Sequence, residues 1–183
     1  MLAQVAFYKA YSTGDSIVAN GIEVPVPRQK PSANRDTCLS LADYIAPKEY
    51  EDYIGCFTVT IGPELRKALP ADDEYEQLLH QSVCDRLAEA TSEYLHRLVR
   101  VKLWGYAPDE PLDLEAIRKA RYRGIRPAVG YPSLPDQRLM HTLMRLLRPE
   151  ELNIGITENG ALIPSSTVAA FYFASPRARY FSV

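Results

Sequence analysis

A segment rich in proline and glycine interrupts the last third of this chain. Residues 123–136 read RGIRPAVGYPSLPD and contain three prolines, two glycines, two arginines and one tyrosine. Because proline fixes φ and lacks an amide hydrogen, the segment excludes both a helix and a regular central strand. We therefore predict a stiff, irregular loop that carries Arg126 and Tyr131. Such a loop is either a structural connection or a binding site, since rigid loops often carry functional polar groups.

The patterning on both sides of this loop predicts an α+β domain. Apolar residues recur every three or four positions between about 72 and 103, which is typical of one long amphipathic helix. The members of this apolar stripe are Tyr75, Leu79, Val83, Leu87, Ala90, Tyr94 and Leu98. Shorter helices are predicted over 112–120 and 136–147. Strands and helices are segregated rather than alternating, so we expect a single domain with a mainly antiparallel, twisted sheet flanked by helices.

Short runs of β-branched and aromatic residues predict the strands. These runs cover residues 17–19, 22–26, 38–42, 53–61, 166–173 and 178–183. The dipeptides at 20–21 and 159–160 are both Asn-Gly, which is a strong signal for a hairpin turn. They predict one hairpin near the N-terminus and another within residues 153–163.

The N-terminal part of the chain reads as a piece of its own. We expect residues 1–37 to form a strand and hairpin extension followed by a linker, with the polar linker over 28–35. Residues 38–183 are expected to form the main domain. A length of 183 residues suits one domain with a substantial core.

Charge and cysteine content narrow the class of protein. The formal net charge of −2 gives no reason to expect nucleic acid or an anionic membrane as a partner. The three cysteines at 38, 56 and 84 are odd in number and lack a CxxC spacing, which favours small buried side chains over disulfides or a zinc site. With no long apolar span and no signal peptide pattern, we expect a cytoplasmic protein.

Several common catalytic signatures are absent from the sequence. It contains no GxGxxG, no P-loop and no GxSxG motif. The pair Glu93 and His96 matches one half of a di-iron motif, but that chemistry needs a second copy, so we interpret the pair as a solvated helix face. Asp85 and Glu89 lie one helical turn apart, opposite the apolar stripe. They are either solvated surface or hydrogen-bond acceptors for a ligand or partner.

Arg126 is the most informative polar residue of the loop. An arginine held between glycine and proline turns can bind a carboxylate bidentately, and Tyr131 can stack on a ring or face a cation. Tyr180 and Phe181 add aromatic surface near the C-terminus. Together these side chains suit a ligand with a carboxylate, a flat ring and a positive centre. The alternative for Arg126 is a buried structural salt bridge.

From about residue 38 to the C-terminus, the chain resembles the C-terminal activation (reactivation) domain of cobalamin-dependent methionine synthase. The resemblance lies in an ordered series of short segments. These are LADYIAPK at 41–48, DYIG at 52–55, DRLAEA at 85–90, EYLH at 93–96, WGYAP at 104–108, the loop at 123–136, and the aromatic residues at 172–173 and 180. The sequence departs from the family pattern at Gln137, where a histidine is usual, and at Ala120, where an acid is usual.

The resemblance implies that the chain binds S-adenosylmethionine. By position, the loop residues Arg126, Ala128 and Gly130 would hold the methionine moiety, and Tyr131 would face the ligand and cobalamin. The aromatic pair corresponds to Tyr180 and Phe181. Glu89 would line the site and Asp85 would meet the cobalamin domain.

The resemblance also implies a role in reductive reactivation. S-adenosylmethionine would give its methyl group to cob(II)alamin carried by a methionine synthase or related corrinoid protein acting in trans, with an electron from flavodoxin or a similar reductant. The chain would position the ligand and is not expected to be catalytic alone. Two alternatives remain open. One is a docking module for a cobalamin-binding partner that needs no ligand, and the other is a methyltransferase acting on a small molecule.

Overall fold

An antiparallel sheet organises the chain. The computed structural model describes residues 1–32, 36–68 and 73–183, apart from the side chain of Arg66. Five strands of this sheet run in the order β3-β2-β1-β4-β7. Their bounds are β1 Leu2–Thr13, β2 Ser16–Ala19, β3 Ile22–Pro25, β4 Asp52–Thr60 and β7 Thr167–Tyr172, while β5 Gly155–Ile156 and β6 Leu162–Ile163 form a separate two-stranded hairpin. The predicted α+β class, the strands at 53–61 and 166–173 and the hairpin within 153–163 are confirmed.

The N-terminal residues belong to this same sheet. The predicted hairpin is present, with Ala19 opposite Ile22 and both Asn20 and Gly21 at positive φ, as a tight hairpin turn requires. β1 lies between β2 and β4 and pairs with β4 along nine residues, from Leu2 opposite Thr60 onward. The boundary drawn at residue 37 therefore separates strands that hydrogen-bond within one sheet. Residues 33–35 of the predicted linker lie outside the described part.

The predicted long helix is confirmed. The helices are α1 Pro63–Lys67, α2 Glu74–Leu98, α3 Leu114–Arg118 and α4 Leu139–Leu147, and a π-helical turn, Val99–Leu103, continues α2. Asp73 caps α2 by accepting a hydrogen bond from the Glu76 amide at 2.8 Å; the predicted start at residue 72 is outside the described residues. None of the helices in the described ranges has the length and apolar character needed to cross a membrane.

The sheet is covered by helices on both faces. Successive side chains of a strand point to opposite faces, and in β4 both sets are buried. Cys56 belongs to the cluster that contains α4, whereas Phe57 belongs to the cluster that contains Leu95 and Val99 of the α2 segment. The paired strands β4 and β7 therefore form the part of the sheet on which α2 packs.

The apolar stripe of α2 faces away from β4 and β7, whereas the stripe of an amphipathic helix normally packs on the core. Tyr75 is 73% exposed, Leu79 50% and Tyr94 62%. The buried side chains of the helix are Cys84, Ala88, Ser92, Leu95 and His96. Small residues at 84, 88 and 92 allow the helix to approach the sheet closely. The periodicity of the sequence predicts a helix but does not show which of its faces is buried.

Two predicted strands are wrong. Residues 38–42 lead into a 3₁₀ helix, Leu41–Tyr44, that begins with a capping box in which the Ser40 hydroxyl and the Asp43 carboxylate each accept a backbone amide. Residues 178–183 form no strand. Isolated contacts hold them instead, such as the hydrogen bond from the Val183 amide to the Pro132 carbonyl at 3.1 Å.

Candidate functional site

The loop at 123–136 runs along the edge of β7. It contains no helix and no regular strand, as predicted, although single backbone contacts tie it to the sheet. Ile125 and Phe173 exchange two backbone hydrogen bonds of 3.0 Å, and the Phe171 amide donates to the Pro127 carbonyl at 3.2 Å. Because β7 is itself paired with β4, these bonds fix Arg126 between two anchored residues.

A tight turn follows at Gly130. Its φ is +88°, and a Cβ at this position would collide with Oε1 of Gln137. The Nε2 of Gln137 donates to the Gly160 carbonyl at 2.9 Å, so this side chain joins the loop to the β5-β6 hairpin. Gln137 stands where the family usually has a histidine, and here its side chain connects the loop to the hairpin.

A cavity of about 730 Å³ lies between this loop, β7, α2 and the C-terminal segment. This volume is in the range of small-molecule sites. Six of the residues singled out from the sequence line it, namely Glu89, Arg126, Ala128, Tyr131, Tyr180 and Phe181. Gly130 shapes the loop turn without lining the cavity. Residues of β7 complete the wall, a contribution that no motif in the sequence indicated.

Arg126 is held by several partners at the cavity wall. Nη2 donates to Oε2 of Glu93 at 2.7 Å, and Nη1 donates to the Tyr122 hydroxyl at 2.9 Å and to Nδ1 of His96 at 3.2 Å. The Arg126 amide donates to the Tyr180 hydroxyl at 3.0 Å. Burial acts to lower the pKa of Arg126, but Tyr122, Glu93 and Tyr180 raise it, and the net pKa shift is upward. The guanidinium is therefore a permanent cation in a fixed place.

A guanidinium has five N–H donors. Three of those of Arg126 are used by Glu93, Tyr122 and His96. Nε–H and one hydrogen of Nη2 therefore have no acceptor among the residues that the structure describes. Arg126 forms a salt bridge, as the structural alternative predicted, with a side chain 22% exposed, and it also lines the cavity. Its binding of a ligand carboxylate stays a prediction.

Glu93 and His96 are not on a solvated helix face, which corrects their interpretation from the sequence. Glu93 is half-buried against Arg126, and His96 is completely buried. Burial, followed by the charges of Arg100 and Arg126, lowers the pKa of His96 to about 2, so the imidazole is neutral. The i, i+3 spacing that matched half a metal motif instead places both side chains behind one arginine.

A second buried arginine stands behind this group. Arg100 is fully buried, and its Nε and Nη2 bond the carboxylate of Glu110 at 2.6 and 2.7 Å. Its guanidinium lies over the Tyr122 ring at 3.8 Å from the centroid. Tyr122 thereby connects the Arg100 pair to Arg126. No local pattern predicts this arrangement, because residues 100, 110 and 122 are in separate segments.

The C-terminal aromatic residues close one side of the cavity. Tyr180 is 49% exposed while its hydroxyl accepts the Arg126 amide. The Phe181 ring packs edge-on against Tyr44 at 6.3 Å, and the Tyr44 hydroxyl donates to the Arg179 carbonyl at 3.2 Å. The segment is therefore ordered by side-chain contacts although it is not a strand.

The two helix acids have different environments. Glu89 lines the cavity and pairs with the exposed Arg86 at 2.8 Å. Asp85 does not line it. Its Oδ1 accepts hydrogen bonds from the Ser166 hydroxyl at 2.6 Å and from Gln81 at 2.7 Å, and so ties α2 to the residue before β7.

Two comparisons with known proteins bear on this cavity. The family model described as "Vitamin B12 dependent methionine synthase, activation domain" matches residues 1–183. A solved structure described as the MetH reactivation domain bound to AdoHcy is 35% identical in sequence and superposes with a TM-score of 0.87. The match covers 97% of this chain and 59% of that chain, so this chain spans about three fifths of the length of that relative.

Proposed function

We propose that this chain, which belongs to the family of vitamin B12-dependent methionine synthase activation domains, binds S-adenosylmethionine in the cavity beside Arg126. The relative of known structure is described as bound to AdoHcy. AdoHcy is what remains of S-adenosylmethionine after the methyl group has left, so the two ligands share a carboxylate, an ammonium group and an adenosine.

The two remaining donors of Arg126 carry this proposal. A carboxylate accepts two parallel N–H bonds from a guanidinium, and Arg126 presents Nε–H and one Nη2 hydrogen while its other donors are engaged. Because Glu93, Tyr122 and His96 already fix the guanidinium, little side-chain entropy is lost when a ligand binds. The site is organised before the ligand arrives.

Other cavity residues suit the rest of the ligand. Tyr131 and Tyr180 are 64% and 49% exposed, so each offers a ring face to an adenine or a sulfonium. Glu89 supplies a carboxylate for the ammonium group. Pro127 and Ala128 leave backbone atoms of the loop close to the cavity.

In this proposal the chain positions the ligand for a cobalamin-binding partner. The sulfonium methyl would be directed towards a corrinoid held by a methionine synthase or a related protein, whose cobalt supplies the metal chemistry, while flavodoxin or a similar reductant supplies the electron. The contribution of this chain is proximity and orientation. Tyr131, exposed on the loop, is the residue best placed to meet both ligand and partner.

A second candidate is a docking module that needs no ligand. The outward apolar stripe of α2 favours it, since contiguous exposed apolar side chains mark protein contacts. Ligand-independent binding to a corrinoid protein, with no measurable affinity for AdoHcy, would support this second function and contradict the first.

Isothermal titration with AdoHcy separates the two functions. We expect saturable binding to the wild-type protein and a loss of about tenfold or more in Arg126→Ala, because a charge-assisted pair is removed. Arg138→Ala is the matched control, since Arg138 is exposed and its guanidinium pairs with Asp136 at the end of the same loop. Equal affinities in the three proteins would overturn the role of Arg126.

A further inference from the structure

His96 lies directly behind Arg126, and its two ring nitrogens have different partners. Nδ1 is 3.2 Å from Nη1 of Arg126, and Nε2 is 3.3 Å from the Tyr106 hydroxyl. An arginine nitrogen can only donate, so Nδ1 must carry the lone pair. The neutral ring therefore holds its proton on Nε2, where it can donate to the Tyr106 oxygen.

Aromatic rings hold the imidazole in this orientation. It stacks on Tyr172 with centroids 4.9 Å apart and an interplanar angle of 21°, and Tyr122 meets it edge-on at 5.2 Å and 87°. Tyr172 in turn stacks on Phe57 at 4.6 Å. A 180° flip of the ring would put carbon atoms in place of both nitrogens, so the contacts with Arg126 and Tyr106 select the present orientation.

Gly124 allows the loop to pass close to Tyr106, the partner of Nε2 of His96. A Cβ at this position would lie 2.7 Å from the Tyr106 hydroxyl and 2.5 Å from the Phe173 carbonyl oxygen. Both distances are too short for a real side chain. The glycine therefore leaves room for the Tyr106 hydroxyl, which reaches Nε2 of His96.

We propose that His96 is a positioning residue that presents Arg126 to the carboxylate of the ligand, through an acceptor at Nδ1 and a proton at Nε2. With Tyr122, His96 occupies both hydrogens of Nη1, so the guanidinium cannot rotate about Cζ–Nε without losing both bonds. Nε–H and the remaining Nη2 hydrogen then stay available. The proposal rests on the proposed function, because it concerns affinity for the carboxylate part of the ligand.

Three variants separate the functions of the two nitrogens. Asparagine places an oxygen acceptor near the position of Nδ1, so His96→Asn keeps a partner for Arg126. His96→Gln moves the amide to about the position of Nε2 and leaves Arg126 without that acceptor. His96→Phe keeps a flat ring for Tyr172 and removes both polar atoms.

The decisive measurement compares the affinities for AdoHcy and for methylthioadenosine, because methylthioadenosine lacks the carboxylate and ammonium groups. We expect His96→Phe and His96→Gln to weaken AdoHcy binding by about tenfold and to leave methylthioadenosine affinity unchanged, with partial recovery in His96→Asn. In an Arg126→Ala background, His96→Phe should have no further effect on AdoHcy.

Leu95→Ala controls for a general loss of packing. Leu95 is buried on the same helix in the cluster with Phe57 and Tyr172, and its side chain makes no hydrogen bond. We expect this variant to lower stability without changing the ratio of the two affinities. An unchanged ratio in His96→Phe as well would overturn the positioning role while leaving the proposed function standing.

The protonation of the ring is testable without any ligand. Long-range ¹H–¹⁵N correlation spectra of the free protein should show a protonated Nε2 and an unprotonated Nδ1. A proton on Nδ1 would overturn the inference, even in a protein that binds AdoHcy. Wild-type protein with the expected tautomer but no affinity for either nucleoside would instead refute the proposed function.

Discussion

Oε2 of Glu93 lies 2.7 Å from Nη2 of Arg126, so this carboxylate of α2 balances the positive charge at the wall of the cavity. The other carboxylate oxygen, Oε1, is buried and has no hydrogen-bond partner among the described residues. An acid in this place orients the guanidinium and also competes electrostatically with an anionic ligand.

Removing this charge should strengthen binding of a carboxylate ligand. In Glu93→Gln a hydrogen-bond acceptor remains for Arg126 while the competing negative charge is lost, so we expect AdoHcy affinity to rise about threefold to tenfold. Titration calorimetry measures this change, and methylthioadenosine should bind as it does to the wild type. Weaker AdoHcy binding in Glu93→Gln would show that the orienting effect of the charge outweighs the competition.

An exposed leucine of the α2 stripe and a buried leucine of α4 should respond very differently to truncation. Leu79 is 50% exposed on the apolar stripe, whereas Leu143 of α4 is fully buried. Leu79→Ala should change the free energy of unfolding by about 0.5 kcal/mol or less, and Leu143→Ala should lower it by about 2–5 kcal/mol. Urea denaturation tests both. A large loss in Leu79→Ala would mean that the stripe is covered in solution.

Gly130 should not tolerate a side chain. Alanine would have to adopt a φ of +88° and would meet Oε1 of Gln137, so we expect Gly130→Ala to lower stability by about 1–3 kcal/mol and to weaken AdoHcy binding. Gly14→Ala is the matched control, because Gly14 also has a positive φ, of +58°, but has open space around it. Gln137→Ala in the Gly130→Ala background should recover part of the loss. Equal effects at positions 14 and 130 would refute the steric argument.

Breaking the buried ion pair should be costly. Glu110→Ala would leave Arg100, whose side chain is fully buried, without its carboxylate. Loss of one partner of such a pair typically lowers stability by about 3–5 kcal/mol. Thermal and urea unfolding measure this loss, with Glu115→Ala, on the surface, as the control. A cost near that of the control would mean that water or another acceptor reaches Arg100.

Stability should fall in acid through Asp43. The hydrogen bond from Arg28 is the largest cause that lowers the pKa of Asp43 from its ordinary value of 3.8. Because the folded pKa is below the unfolded one, the stabilisation is present above about pH 4 and is lost as the pH falls through the folded value. Asp43→Asn and Arg28→Ala should each flatten this part of the stability profile, measured by urea denaturation at several pH values. An unchanged acid slope in both variants would contradict the prediction.

The sequence predicted most of the architecture because its strongest signals are local. The long helix, the Asn-Gly hairpins and the irregular loop each follow from residues close together in the chain. The orientation of α2 does not, since it depends on small residues such as Ala88 and Ser92 fitting against the sheet. The strand expected at 178–183 failed because its backbone is satisfied by loops, such as Pro132, rather than by a neighbouring strand.

The residues that line the cavity could be predicted better than the residues that hold Arg126 in place. Arg126 and Tyr131 stand out in an unusual loop, and the family resemblance assigned Glu89 and Tyr180, already noted as a helix acid and an aromatic residue, to the ligand site. All four line the cavity. His96 was visible as half of a metal motif but was assigned to solvent, because burial depends on contacts across some 30 residues of chain. Tertiary packing, rather than any motif, makes it a partner of Arg126.

A crystal structure of the protein grown with saturating AdoHcy tests the central claim most directly. We predict density for the nucleoside in the cavity between Arg126 and Tyr131, with the ligand carboxylate about 3 Å from Nε and Nη2 of Arg126. Ligand bound elsewhere, or a carboxylate directed away from Arg126 in a fully occupied cavity, would contradict it.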